Sequence, residues 1–223
     1  MLTASAKTAK IPAPESRFLR KKHSFGLMTR LFAVIAACIL FAACRPESYT
    51  PKPRGYYRVT YPERKYQAFN KPEYPYSFEY PVYANIEKDT VFFDTKPENP
   101  YWINMNIPSL GAAIYISYKE ISAGQPLEQL LEDSYKMSFF HTKRADYIND
   151  PGFHYEAHHV HGVFYDVGGN AASSYQFYAT DSVKHFLRCA LYFNATPNAD
   201  SLRPVNDFLK TDMEHMIETL QWK

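Results

Sequence analysis

Cysteine, glycine and surplus charge are scarce in this sequence. Of its 223 residues only three are cysteine and eight are glycine, and the formal net charge is +2. Because the charge is so mild, and lysines and arginines are scattered along the chain, we expect no nucleic-acid partner. The sequence also lacks a His-Glu-x-x-His motif and a G-x-S-x-G elbow, so two common signatures of hydrolases are missing.

A short apolar run near the N-terminus predicts a targeting signal. Apolar residues fill positions 31–41 after Arg30, and two alanines then lead to Cys44. A run this short suits a signal peptide, with an uncleaved anchor helix as the alternative. The Ala-Ala-Cys ending resembles a bacterial lipoprotein signal, which is cleaved before a cysteine that carries diacylglycerol. We therefore expect Cys44 to be the lipidation site in preference to Cys38, which has a shorter apolar run before it.

The remaining N-terminal residues and cysteines are interpreted from this signal. A start at Met28 gives a signal of conventional size, so we assign 28–43 to the signal peptide and 1–27 to an N-terminal extension. After cleavage Cys189 is the one unmodified cysteine, and no intrachain disulfide can form. Its strand-like surroundings, HFLRCALYF, predict a buried small hydrophobe rather than a nucleophile.

Residues 44–75 are rich in proline and tyrosine and poor in aliphatic side chains. This composition is typical of an extended, polyproline-II-like segment. Fully extended, it could reach roughly 100 Å at about 3 Å per residue. We interpret it as a tether between a membrane and a domain. In a second interpretation its tyrosines dock on the domain or on a partner.

Residues 76–223 have the patterns of one α+β domain. Alternation predicts strands, among them a hairpin formed by 101–107 and 112–118. Helical periodicity predicts two main helices, at 126–143 and from about 204 to 221, with 196–204 as a loop. The further predicted strands are 76–80, 91–94, 158–167, 173–180 and 184–195. We expect an antiparallel β-sheet packed with the two helices, and this element order resembles the PsbP/Mog1-like α/β sandwich.

Two groups of polar residues invite an enzymatic interpretation. His154, His158, His159 and His161 could ligate a metal together with Glu156, although exposed histidines are the plainer explanation. Gly168-Gly169-Asn170 could form an oxyanion hole or a phosphate nest, and Ser173, Ser174, Asp181 and His185 include the residue types of a catalytic triad. Because glycine and asparagine favour tight reversals and no helix follows, a hairpin turn is the expectation for 168–170.

The chain resembles the gliding motility lipoprotein GldD family of Bacteroidetes over nearly all of residues 44–223. The segments that carry the resemblance are YTPKPRGYYRVTYPERKY, YPYSFEYPVYA, WINMNIP, YISYK, LEDSYKMSFFHTKRAD, GGNAASSYQFYATDSVKHFLRCALYFNATPNADSLRPVNDFL and IETLQWK. None of them is a known catalytic motif. Three tripeptides, at 89–91, 181–183 and 200–202, resemble the short O-glycosylation motif of periplasmic proteins in this phylum.

The resemblance implies a non-enzymatic component of gliding motility and type IX protein secretion. Such a protein would be anchored in the outer membrane through the lipid on Cys44, with its domain in the periplasm. Its partners would be other gliding motility and type IX secretion proteins. The family brings no catalytic, cofactor-binding or metal-binding residues with it.

Two other functions remain open at this level. The first is a periplasmic hydrolase or metal-dependent enzyme that uses the histidines of 154–161. The second is a cell-wall glycan-binding module that uses exposed tyrosines and Trp102.

Overall fold

The computed structural model describes residues 22–43, 58–90 and 97–223. Contacts divide the chain into two units, Met1–Gly55 and Tyr56–Lys223. In the first unit, Lys22–Ala43 form helix α1, which includes the whole of the predicted signal peptide, 28–43. None of the helices in the described parts is long and apolar enough to cross a membrane. Cys44 and the run predicted as a strand at 91–94 lie outside the described residues.

The second unit consists of two antiparallel sheets and two helices. The smaller sheet has the order β1-β2-β11, and the larger has the order β3-β4-β5-β10-β9-β8-β6, with β7 paired to β8. The strands are β1 Tyr66–Phe69, β2 Tyr76–Pro81, β3 Asn85–Lys88, β4 Ile103–Ile107, β5 Ala112–Glu120, β6 Ala145–Asn149, β7 Gly152–Tyr155, β8 Val160–Gly169, β9 Tyr175–Thr180, β10 His185–Phe193 and β11 Gln221–Trp222. The helices are α2 Leu127–Phe139 and α3 Ala199–Glu218. The predicted α+β class is confirmed.

The main core lies between α3, the small sheet and one face of the large sheet. Strand alternation directs Leu187, Cys189 and Leu191 of β10 into this core, where each is at most 1% exposed. From α3, Leu209 and Met213 pack against them as part of the same buried cluster. Full burial of side chains of this size stabilises the fold by about 1.5–3 kcal/mol each.

The opposite face of the large sheet is covered by α2, which contacts β10. The helix buries Leu130, Ser134 and Ser138, whereas Met137 is 45% exposed. With two serines among its three buried positions, this layer is more polar than the core around α3.

The last helix and the region between the two main helices differ from the sequence predictions. The last helix begins at Ala199, five residues before the predicted start, because the side chain of Asn198 accepts a hydrogen bond from the Ser201 amide and caps it. It ends at Glu218, since Gln221–Trp222 pair with β2 instead of continuing the helix. Five strands rather than three separate the two helices, because the short strands β6 and β7 both pair with β8.

The predicted reversal between β8 and β9 is present, but it starts later than expected: Gly168 and Gly169 remain in β8 and pair with β6, and residues 170–174 make the connection. Strands β8 and β9 pair in antiparallel register, and Gly169 adopts φ +92°, a conformation that favours glycine. The Asn170 side chain accepts a hydrogen bond of 2.9 Å from the Ala199 amide at the first residue of α3. The turn therefore helps to position the helix, and no step of chemistry is needed to explain its residues.

Close backbone packing at Gly162 generates a test of the β8–β9 pairing. A Cβ atom at residue 162 would overlap the backbone carbonyl oxygen of Tyr178, which cannot move without breaking the strand pair. A Cβ atom at Gly168 would overlap the ring of Tyr147, which is 52% exposed and can turn away. We expect Gly162→Ala to lower the free energy of unfolding by about 3 kcal/mol and Gly168→Ala by less than about 1 kcal/mol, as measured by urea denaturation. Equal losses would contradict this account of the packing.

Candidate functional site

The four histidines singled out in the sequence do not converge on one point. The rings of His154 and His161 lie 5.8 Å apart across the β7–β8 pair, and His161 Nε2 lies 2.7 Å from Ser182 Oγ. His159 follows a short 3-10 turn in a left-handed conformation. Within residues 22–43, 58–90 and 97–223, no three His, Cys, Asp or Glu side chains are grouped to hold a metal ion.

Two of the candidate triad residues lie close together, with His185 Nε2 4.0 Å from Asp181 Oδ2, but the Ser173 hydroxyl bonds elsewhere. His185 Nδ1 lies 2.7 Å from the Tyr118 hydroxyl, and burial lowers the pKa of the imidazole. The Asp181 carboxylate accepts three backbone N–H groups that follow it, which is a turn-forming role. The Ser173 hydroxyl donates to the Tyr175 carbonyl, 3.4 Å away. Neither Ser173 nor His185 is therefore placed as a nucleophile with its base.

Cys189 is fully buried on the inner face of β10, as the sequence indicated. Burial raises the pKa of its thiol well above the usual value. A thiol that is both inaccessible and protonated is a poor nucleophile. Its contribution is packing within the main core.

The most concentrated polar contacts converge on Asp212 of α3, which is 2% exposed. Its Oδ1 accepts hydrogen bonds from Arg64 Nε at 3.0 Å and from the Tyr66 hydroxyl at 2.9 Å. Its Oδ2 accepts a hydrogen bond from the Tyr83 hydroxyl. Burial, followed by the bond to this carboxylate, raises the pKa of Tyr66 and Tyr83 well above their usual value, so both phenols remain donors. We call Arg64, Tyr66, Tyr83 and Asp212 the latch.

Aromatic contacts extend the latch along α3. The Arg64 guanidinium lies 4.5 Å from the centre of the Phe208 ring and donates to the Phe208 carbonyl at 2.9 Å. Tyr61 packs on the same ring at 4.6 Å, and Tyr66 stacks on His215 at 3.7 Å. One face of α3 thus holds the chain from residue 61 to residue 66.

The latch fastens part of the predicted tether to the folded unit. Residues 58–75 are described, and within them β1 pairs with β2 while Arg64 and Tyr66 bind Asp212. Docking on the domain was one of the two interpretations of this segment, and these residues adopt it. Sequence reasoning missed the latch because Arg64 and Asp212 are 148 residues apart. The available signal was an acidic residue beside the apolar stripe of the last helix.

Comparison with known families identifies the chain. A family model described as gliding motility lipoprotein GldD matches residues 46–222. The chain belongs to this family. The GldD match begins two residues after Cys44 and includes all four latch residues. GldD membership makes the chain a lipoprotein, anchored to a membrane and associated with gliding motility.

Two other comparisons add less. A search of curated proteins finds no match. Among solved structures, the chain is similar to cyanobacterial PsbP (CyanoP) from Synechocystis sp. PCC 6803, with 14% sequence identity and a TM-score of 0.43. That similarity covers 73% of this chain and 95% of the PsbP chain. At this TM-score it supports no statement about function.

The latch predicts a specific effect of neutralising Asp212. In Asp212→Asn an NH2 group replaces one of the two acceptor oxygens, so that one hydrogen-bond donor would face another. The negative charge that pairs with Arg64 would also be lost. We expect the free energy of unfolding to fall by about 2 kcal/mol. Amide hydrogen exchange should accelerate across Tyr66–Phe69, since β1 would lose its fastening.

The matched control is Asp207→Asn, one turn earlier on α3. Asp207 is exposed, and its side chain accepts a hydrogen bond of 3.4 Å from the Tyr175 hydroxyl. This variant should leave exchange in β1 unchanged. Equal protection of β1 in wild type and Asp212→Asn would show that the strand pairing with β2 suffices without the latch.

Proposed function

We propose that this chain is a non-enzymatic, lipid-anchored accessory component of the gliding motility and type IX secretion machinery. It acts through protein–protein contacts, with the lipid on Cys44 in the outer membrane and the domain in the periplasm. The observation that carries the proposal is the latch, because it fixes the membrane-proximal part of the chain to the folded unit. Such a fastening serves a protein whose position relative to the membrane matters.

The latch limits how far the domain can lie from its anchor. A free tether over residues 45–75 could extend by roughly 100 Å. With the chain held from residue 61 onward, residues 45–60 can span at most about 50 Å. The domain is therefore kept within reach of membrane-bound partners.

The sequence after Cys44 supports the periplasmic orientation. Arg45-Pro46-Glu47-Ser48 lacks the acidic-rich stretch associated with surface export of lipoproteins in Bacteroidetes. Several acyl chains on a mature lipoprotein hold it firmly, whereas one chain alone binds marginally.

Exposed aromatic side chains near the end of α2 support a role in protein contacts. Tyr135 is 50% exposed, Phe140 is 65% exposed and Tyr147 of β6 is 52% exposed. Aromatic residues are enriched in protein interfaces, where they supply large contact areas at low entropic cost. They suit an accessory protein better than a self-contained enzyme.

Deletion of the gene tests the proposed function. We expect the deletion strain to lose spreading on agar and to retain type IX cargo inside the cell, with both restored by the wild-type gene. Loss of gliding with normal secretion would restrict the proposal to motility. A deletion strain that glides and secretes normally would overturn it.

Substitution of the predicted lipidated cysteine tests the anchor. Cys44→Ser should abolish labelling by a clickable fatty acid and release the protein from the membrane fraction, because the thiol that forms the thioether is gone. Cys38→Ser is the matched control and should retain label, membrane association and gliding. Labelling that survives Cys44→Ser and disappears in Cys38→Ser would move the lipidation site to Cys38.

A further inference from the structure

A groove of about 350 Å³ lies between α2 and the outer face of the large sheet. It is separate from the latch, which is on α3 at the opposite face. Tyr115 and Met137 on its lining are 42% and 45% exposed. The groove is mostly apolar, lined by Trp102, Tyr115, Ile116, Leu130, Met137 and Phe186.

Arg188 of β10 lines this groove and is the feature that calls for a ligand. One guanidinium nitrogen donates to the Gln176 side-chain oxygen, which also accepts from Ser138 at 3.4 Å. The Nε atom is buried and has no hydrogen-bond partner among the described residues. Of the described carboxylates, none lies within 4.0 Å of the guanidinium. Burial lowers the pKa of Arg188, as expected for a charge removed from water without a counter-ion.

The other charges of the groove do not neutralise Arg188. Lys119 and Lys136 are held in ion pairs of 2.8 Å and 2.7 Å with Glu98 and Glu132. Asp89 and Asp133 also line the groove, and their negative charge disfavours a dianion such as phosphate more strongly than a singly charged carboxylate. Arg188 is half-buried and its Nε atom is enclosed, and an arginine withdrawn from water in this way is normally paired with an anion. A single carboxylate supplies that charge and matches the planar guanidinium fork.

We infer that this groove binds a carboxylate carried by a partner polypeptide, an Asp or Glu side chain next to an apolar residue, with Arg188 as its counter-ion. The statement that the ligand is a protein rests on the proposed function. The partly exposed aromatic and thioether side chains at the opening are of the kinds that peptide-binding surfaces use. The apolar lining receives the neighbouring side chain while Arg188 fixes the carboxylate.

The chemistry of the groove can be tested with a matched pair of small probes. We propose titrating the full-length protein in detergent with 3-phenylpropionate and with 3-phenylpropanamide, following the indole N–H signal of Trp102 by NMR. The acid should bind at least 10-fold more tightly than the amide. Equal affinity, no binding of either at millimolar concentration, or tighter binding of inorganic phosphate would overturn the inference.

Variants at Arg188 separate recognition from folding. Arg188→Met should remove the preference for the acid without lowering the urea midpoint, because an unpaired buried charge is replaced by an apolar chain of similar length. Arg188→Lys keeps the charge, loses the fork and should retain a reduced preference. Arg203→Met, an exposed arginine of α3, is the matched control and should bind as wild type does. A large fall in the urea midpoint for Arg188→Met would assign Arg188 a structural role instead.

Crosslinking in cells tests whether the carboxylate belongs to a polypeptide. A photoreactive phenylalanine at Tyr115 should capture one protein through a peptide containing Asp or Glu, and Arg188→Met should abolish that product. If the small acid binds but no crosslinked protein forms, the ligand is a small carboxylate, and the inference that it is a polypeptide is overturned. The two proposals can fail separately. If the deletion strain stops gliding but the purified protein binds the acid and the amide equally, this inference is refuted and the proposed function stands.

Discussion

The buried carboxylate of Asp212 is the constraint on which the arrangement of the folded unit depends. A charge removed from water costs several kcal/mol unless its hydrogen-bonding capacity is satisfied. Its donors come from Arg64, Tyr66 and Tyr83, which precede it by well over a hundred residues. The carboxylate can be satisfied only when α3, β1 and the segment after β2 meet. A local electrostatic requirement therefore fixes a long-range contact, and with it the position of the chain that leads to the anchor.

The two faces of the large sheet divide stability from recognition. The inner face is apolar and closely packed around Leu209 and Met213 of α3, so its burial supplies the main stabilisation. The outer face carries Arg188, Gln176 and Ser138 beneath a helix that covers it incompletely. Polar groups at that depth add little stability and restrict what can fill the groove.

Sequence patterns predicted the elements whose burial repeats regularly and missed those fixed by distant partners. The alternation of β10 and the apolar stripe of the last helix both correspond to buried faces. The strand Tyr66–Phe69 lies in a proline-rich segment and forms only because β2 offers a free edge. Likewise β6 and β7 have little alternation of their own and depend on β8. The latch could not be predicted because no local spacing relates Arg64 to Asp212, whereas Arg188 was visible as a lone charge on an otherwise uncharged strand face.

Asp212 and Arg188 obey the same physical rule with opposite outcomes. Asp212 is almost completely removed from water and Arg188 is half-buried with an enclosed Nε atom, so each charge needs compensation. For Asp212 the compensation is internal, since the three donors belong to the same chain. For Arg188 the described residues supply one amide oxygen and no carboxylate within 4.0 Å. A charge satisfied from within holds the fold together. A charge left unsatisfied beside an open apolar groove weakens the unbound protein, and an anion that arrives from outside would compensate it.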